Sequence, residues 1–451
     1  MTIYFIGIGG IGISALAQYY LERGHQVSGS DLFSSETTSL LKEKGAKLLL
    51  GEQKMENVPK GTDLVIYSPA VEKTNPELKK SLDLQAEGKK LKVLSYPEAL
   101  GKLTKKYFTV AVCGTHGKST TTSMLSLILI EGGLDPTVIL GTKMKEFGQS
   151  NFRGGKSNYL LIEADEWKAS FLNYWPRITV LLNIEKEHMD YYKNMSHIIE
   201  TYGKFIGHLP EEGILVINGD DVNIQKVISN DQFSIFNKFS IINFQAKKTK
   251  EKQKIKDVLR VPGEHNVLNA LAALQTARTL GVEDEISYQA LSKFKGSWRR
   301  FEEYKTINYK LISDYAHHPT EIEATLKAVR EKYPQKEIWC LFQPHQYQRT
   351  FYLFDQFVKV LKKVQKNKLT DNLMITDIFD VQGREKKEIK ERVSSEKLAK
   401  LAGAFYIPKK ETEQYLKKNL KKEVVLVIMG AGDIYKLAQK LSTGKLLTSS
   451  F

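Results

Sequence analysis

The sequence predicts an α/β protein of three domains built on parallel sheets covered by helices. Three observations carry this. Glycine-punctuated strand-to-helix transitions recur at residues 3–12, 108–123 and 309–330. Between them, short runs that are apolar throughout alternate with helical patterns, as strands buried on both faces require. The length, 451 residues, is enough for two to four cores at roughly 100–200 residues per domain.

Taken in order, residues 3–6 read as a strand entering Gly7-Ile8-Gly9-Gly10-Ile11-Gly12, with a helix over 13–23. Leu64-Val65-Ile66-Tyr67 is a further buried strand. Residues 108–112 run into a loop that opens a helix over 118–131, and strands follow at 159–162 and 178–182. The Lys- and Gln-rich stretch 247–256 reads as a solvated connector. Helices are expected at 265–280, 319–332 and 352–365, and Val424-Val425-Leu426-Val427-Ile428 is a late buried strand. Domain boundaries fall near 105 and 298.

Charge is 67 basic against 52 acidic side chains, a formal +15. Only eleven of the basic residues are Arg and the lysines are scattered, which suits a solvated surface better than a nucleic-acid stripe. No apolar run reaches the roughly 18–20 residues of a spanning helix, and Met1 leads into glycines rather than a signal segment. Two cysteines, Cys113 and Cys340, build neither a disulfide framework nor a Cys-rich metal site. The expectation is a soluble, intracellular (cytoplasmic) protein, with no nucleic acid partner and no membrane insertion.

The first loop matches G-x-G-x-x-G. Its glycines let the backbone approach a diphosphate at a helix start. Asp31 follows Gly12 by about the offset at which an acid meets a ribose hydroxyl. These residues alone favour NAD, without fixing the nucleotide.

In the second loop, Gly114-Thr115-His116-Gly117-Lys118-Ser119-Thr120 stands between a strand and a helix, the context a phosphate loop needs. Backbone amides would cradle phosphates, Lys118 would neutralise them and the Ser119 hydroxyl would hold Mg²⁺. Val112 occupies the first glycine position of the strict pattern. Glu163-Ala164-Asp165-Glu166 and Asn183-Ile184-Glu185, each after an apolar strand, supply carboxylates for a hard cation.

These segments are followed by His188-Met189-Asp190, Pro262-Gly263-Glu264-His265-Asn266, Arg299-Arg300-Phe301 and Asp314-Tyr315-Ala316-His317-His318-Pro319. In this order they resemble the Mur ligases, and most closely the branch that adds L-alanine to UDP-N-acetylmuramic acid. The resemblance runs from residue 3 to Met429-Gly430-Ala431-Gly432-Asp433. Six of the nine histidines (116, 188, 265, 317, 318 and 345) fall in its motifs.

The resemblance implies a Rossmann-like UDP-sugar domain over 1–105, with Gly9, Gly10, Ile11, Gly12 and Asp31 on the ligand. It implies a central ATPase domain of P-loop type over 106–297 and a Rossmann-like amino-acid domain over 298–451. ATP would meet Gly114, Thr115, His116, Gly117, Lys118, Ser119, Thr120, Asn266, Asn269, Arg300 and Asp314. Ser119 and Glu163 would bind one Mg²⁺ and His188 a second. Tyr315, His317, His345 and Arg349 would form the amino-acid end, with Lys118, His188, His317 and Arg349 catalytic and His317 the base for the ammonium proton. The cofactors implied are ATP and two Mg²⁺ ions; the substrates are UDP-N-acetylmuramic acid and L-alanine, handled by a monomer or dimer.

Three positions depart from the family pattern. Ser119 stands where Thr is usual, Trp167-Lys168 replace Ser-Asp, and Gln346 replaces an arginine expected on the amino-acid carboxylate. The last predicts weaker alanine binding, because charge-assisted bonds are roughly twice as strong as neutral ones. Rival readings are a ligase attaching murein tripeptide to the same sugar nucleotide, an NAD-dependent dehydrogenase and a nucleic-acid-stimulated ATPase.

Overall fold

A computed structural model describes residues 1–230, 239–244, 249–381, 385 and 387–442. Its chain forms two compact units: Met1–Ile184 with Ile198–Lys248 and Ala270–Leu291, and Glu185–His197 with Thr249–Asn269 and Ser292–Phe451.

The first unit holds two sheets. Strands Thr2–Ile6 (β1), Gln26–Asp31 (β2), Lys47–Leu50 (β3), Leu64–Tyr67 (β4) and Lys92–Ser95 (β5) lie in the order β3-β2-β1-β4-β5, all parallel. The order reverses at β1/β4, where the glycine loop leaves β1, so the loop sits at the switch point that ligands favour in such sheets. Tyr4, Ile6, Val65, Leu78 and Val93 form the core on one face.

The second sheet comprises Phe108–Cys113 (β6), Thr137–Met144 (β7), Ser150–Arg153 (β8), Tyr159–Glu163 (β9), Ile178–Leu181 (β10), Ile214–Asn218 (β11) and Ser240–Phe244 (β12). The order is β12-β11-β10-β6-β9-β7-β8, and only β7–β8 is antiparallel. β6 is central, which places the phosphate loop between the ends of β10 and β9.

The two sheets of this unit are fastened together. Helix Ile11–Glu22 packs on β7 and β8. Gln18, buried, donates to Asn151 Oδ1 at 2.8 Å and accepts from Ser150 Oγ at 2.9 Å. Helix Tyr96–Thr104 lies against the turn Trp167–Asn173 so closely that a Cβ on Gly101 would strike the Asn173 carbonyl.

The second unit carries Glu302–Tyr304 (β13), Lys310–Asp314 (β14), Ile338–Phe342 (β15), Asn372–Ile375 (β16), Phe405–Tyr406 (β17) and Val425–Met429 (β18), ordered β13-β14-β18-β15-β16-β17. Only the edge strand β13 runs antiparallel. Strand alternation splits its core in two. Ile312, Cys340, Phe342, Val425 and Val427 face helices Pro319–Lys332 and Phe354–Lys366, while Leu311, Trp339, Leu341, Leu426 and Ile428 pack with Leu416 and Ala438.

Two expectations are corrected. The stretch read as a connector folds, from residue 249 on, as helix Thr249–Val258; Ile255 is its fully buried anchor, and Lys252 and Lys256 reach Glu264. Residues 247 and 248 lie outside the described residues. The helix expected at 352–365 is two helices, Tyr347–Tyr352 and Phe354–Lys366, meeting at Leu353. The helices expected at 118–131 and 319–332 and the strand at 64–67 form with those bounds. No helix among the described residues is long and apolar enough to cross a membrane.

Candidate functional site

Gly117 ends the phosphate loop as the N-cap of helix Lys118–Glu131 at φ +85, in the left-handed region that glycine tolerates. Asn183, just past β10, laces the loop to the sheet. Its side chain accepts from His116 N at 2.8 Å and donates to His116 O at 3.0 Å, and its carbonyl accepts from Thr115 N at 3.1 Å. Thr120 is buried in the first turn of the helix.

Lys118 Nζ folds back over the loop to Gly114 O at 2.6 Å and pairs with Glu166 Oε2 at 2.7 Å. Burial pulls the Lys118 ammonium down, but Glu166, Asp165 and Glu163 outweigh it and the net shift is upward, so the lysine stays charged. Ser119 Oγ donates to Glu163 Oε2 at 2.9 Å, and Glu163 Oε1 accepts from Gly141 N at 2.7 Å. A hydroxyl and a carboxylate oxygen in contact at the end of a buried strand form the hard donor set that suits Mg²⁺.

At the first loop, Gly10 caps helix Ile11–Glu22 without a side-chain bond, and Gly9 N donates to Asp31 Oδ2 at 2.8 Å. Asp31 therefore holds the glycine loop through one oxygen. Gly12 faces the Tyr96 ring, which a Cβ there would meet at 3.0 Å.

His188, Asn266, Asn269, Arg300, Asp314, Tyr315, His317, His345 and Arg349 all belong to the second unit; both loops and Glu163 belong to the first. Asn266 and Asn269 are buried at the start of helix Glu264–Thr279, with Asn266 Nδ2 donating to Pro262 O at 2.7 Å. Asp314 is committed to its own chain. Its oxygens accept from Phe301 N at 2.7 Å, Ala316 N at 2.8 Å and Thr325 Oγ1 at 3.1 Å. That arrangement organises the loop after β14. Arg300 reaches Glu321 at 3.4 Å and, like Arg299, lies 4.8 Å from the Tyr315 ring centre.

The four residues of the expected amino-acid end do come together. Tyr315 meets His317 edge-on at 5.2 Å and His317 meets His345 at 5.9 Å, centre to centre, with His345 stacked on Phe379 at 5.5 Å. Arg349 NH1 donates to His345 Nδ1 at 2.9 Å; since guanidinium only donates, His345 is neutral with its proton on Nε2. Burial, then Arg349 and His317, hold its pKa well below the ordinary value. His317 Nδ1 donates to Tyr315 O at 3.0 Å. Burial pushes its pKa down to about 3, against the pull of Glu321. An imidazole that acidic is a poor acceptor for an ammonium proton, so its surroundings oppose the base role expected of His317. His318 is the N-cap of helix Pro319–Lys332, and Glu321 accepts from both His317 N and His318 N.

Arg349 is buried rather than exposed at its helix start. Its Nε and NH2 lie 2.8 and 2.7 Å from Glu187 Oε1. Burial would raise the Glu187 carboxyl, but Arg349, with His188 and His318, holds it well below the usual carboxylate range. His188 Nδ1 is 3.8 Å from Glu187 Oε1. Gln346, at the position of the expected arginine, has φ +70 and lines a small cleft together with Glu187, His188, Asp190 and Arg349.

Sequence reasoning read Glu166 only as a cation carboxylate, missing its pairing with Lys118, and singled out neither Glu187 nor Arg299. Glu166 stood in a run already quoted, 48 positions from the lysine it pairs. Glu187 is one acid among Glu185-Lys186-Glu187, and nothing in the letters singles it out. Arg299, 5% exposed, donates through NH2 to Gly430 O at 2.6 Å and Gly432 O at 2.8 Å, fixing the loop after β18.

Comparison with known proteins agrees along the chain. Residues 2–108 match the Mur ligase family, catalytic domain; residues 112–277 the Mur ligase middle domain; and residues 299–432 the Mur ligase, glutamate ligase domain. The UDP-N-acetylmuramate–L-alanine ligase of Acetivibrio thermocellus is 40% identical, over 99% of this chain and 97% of that protein. Its counterpart in Clostridium botulinum is 37% identical, over 97% and 96%. The crystal structure of UDP-N-acetylmuramate-alanine ligase from Thermotoga maritima superposes with a TM-score of 0.76 at 27% identity, covering 98% of each chain. A murein peptide ligase from Psychrobacter arcticus, at 22% identity and a TM-score of 0.72, shares the fold. With the phosphate loop, its carboxylates and all three domain matches in one chain, the protein belongs to the Mur ligase family and is an ATP-dependent, amide-forming ligase.

Proposed function

We propose that the protein joins L-alanine to the lactoyl carboxylate of UDP-N-acetylmuramic acid, forming UDP-N-acetylmuramoyl-L-alanine, ADP and phosphate. The observation that carries this reading is full-length identity of about 40% to ligases of that name, supported by the contacts of Lys118 with Glu166 and of Ser119 with Glu163 at the phosphate loop. The domains are 1–105 for the sugar nucleotide, 106–297 for ATP and 298–451 for the amino acid.

Amide formation in water needs an activated carboxylate. The lactoyl carboxylate attacks the γ-phosphate, and the resulting acyl phosphate is taken by the α-amine of alanine with release of phosphate. Lys118 leaves Glu166 to bind the β/γ-phosphates, and the loop amides orient them, so that catalysis rests on positioning and charge. Two Mg²⁺ ions, one on Ser119 and Glu163 and another on His188, would supply further charge neutralisation of the phosphates. Gly9, Gly10, Ile11, Gly12 and Asp31 hold the UDP end. Asn266, Asn269 and Arg300 complete the ATP side, while Asp314 acts by shaping its loop.

At the amine end Arg349 takes the alanine carboxylate beside Tyr315 and His345. Burial disfavours the charged form of His317, so it positions rather than deprotonates; the amine therefore enters neutral or loses its proton to water. The enzyme works in the cytoplasm, as a monomer or dimer.

The test is phosphate release with ATP, Mg²⁺ and UDP-N-acetylmuramic acid, adding L-alanine, glycine, L-serine or murein tripeptide in turn. Release fastest with L-alanine is expected. Release with tripeptide alone would place the enzyme in recycling and overturn the proposal.

A further inference from the structure

We propose that Glu187 sets the affinity for the amino acid: it is an internal carboxylate that occupies Arg349 and must yield it to the carboxylate of the incoming substrate. The inference rests on the reading that Arg349 receives that carboxylate.

Every guanidinium nitrogen of Arg349 has a partner within the chain. Nε and NH2, the edge that grips a carboxylate, both point at Glu187 Oε1, at 2.8 and 2.7 Å. NH1 goes to His345, at 2.9 Å to Nδ1 and 3.2 Å to the carbonyl. Both side chains of the pair are 8% exposed. An amino acid reaching this place finds a neutralised arginine.

The pair is not the best a carboxylate can make. A bidentate pair sets two oxygens against two N–H groups, whereas here one oxygen takes both. Glu187 Oε2 is buried without a hydrogen bond among the described residues; its nearest ion-pair neighbour is His318 Nε2 at 3.8 Å. A substrate carboxylate presenting both oxygens to Nε and NH2 makes the stronger pair, and its gain offsets the release of Glu187.

Two features favour the exchange. His188, next in the chain, has φ +54, a conformation that L residues seldom hold without strain. A small cleft also opens beside the pair, lined by Glu187, His188, Asp190, Gln346, Arg349 and Tyr352, among others. With Gln346 in place of a second arginine, no neighbouring guanidinium at that position shares the load, so Glu187 governs how much of Arg349 the substrate can use.

The experiment measures KM for L-alanine and for L-alaninamide, which lacks the carboxylate, in the wild type and in Glu187→Gln with saturating ATP and sugar nucleotide. The expected result is a fall of threefold or more in the alanine KM, with the alaninamide and ATP KM values unchanged. A smaller fall is expected for Glu187→Asp, which keeps the charge at shorter reach and serves if the glutamine variant does not fold. An alanine KM that stays the same or rises, or that falls equally for alaninamide, overturns the proposal. Arg349→Gln separates this failure from failure of the underlying reading: it should raise the alanine KM, and no change would remove Arg349 from the amino-acid end.

Discussion

Lys118 and Glu166 should prove dispensable to stability as a pair and indispensable singly. Their side chains are 16% and 3% exposed and lie 2.7 Å apart. Removing one charge leaves the other buried without its 2.7 Å partner, and breaking such a pair costs about 3–5 kcal/mol, whereas replacing both with neutral groups of similar volume is often neutral. Lys118→Met and Glu166→Gln should therefore each lower unfolding free energy by about 3 kcal/mol or more, and the double variant should recover most of the loss. Turnover should not recover. A charge-assisted bond from Lys118 to phosphate is worth up to about 3 kcal/mol, or roughly a hundredfold in rate, and only the lysine supplies it. Urea denaturation of the four proteins, with phosphate release measured on each, reads both effects. Additive single losses, or near-wild-type turnover in Lys118→Met, would refute the reasoning.

Three further outcomes are expected. Gln346→Arg should lower the KM for L-alanine by adding a second cation beside Arg349; an unchanged KM in steady-state kinetics would sink the idea. His317 titrates near 6.5 when unfolded but is held down at about 3 in the fold, so between those values the unfolded chain binds a proton that the native chain does not. Its contribution is full above about pH 6.5 and is lost on acidification at a slope of up to about 1.4 kcal/mol per pH unit. Unfolding free energy measured from pH 7 to 4.5 should show a shallower slope in His317→Asn than in the wild type. Gly101→Ala should destabilise by roughly 1–3 kcal/mol, since its Cβ meets the Asn173 backbone rather than a movable side chain; an unchanged Tm would mean the helix shifts freely.

Much of this fold was legible because its strands are buried on both faces and its loops are marked by glycine. The run before the phosphate loop and the helix after it form where an uninterrupted apolar stretch and Gly-Lys-Ser place them. Helix Thr249–Val258 was not legible: ten residues with Ile255 as the buried apolar anchor look like a connector until the partner surface is present. The site divides in the same way. Residues proposed to recognise phosphate through backbone and charge stand in local motifs. Glu187, by contrast, acquires meaning only by burial against Arg349, 162 positions away. The base role expected of His317 is opposed for a related reason, because burial disfavours its charged form and no letter in the motif records burial.

The central claim is that ATP activates the lactoyl carboxylate at the Lys118 site for attack by alanine. It is tested most directly with UDP-N-acetylmuramic acid carrying heavy oxygen in that carboxylate, by following the label during turnover with L-alanine. The account predicts label in the released phosphate, dependent on L-alanine and absent with Lys118→Met. Phosphate free of label would contradict it, because the carboxylate oxygen would then never have been joined to phosphorus.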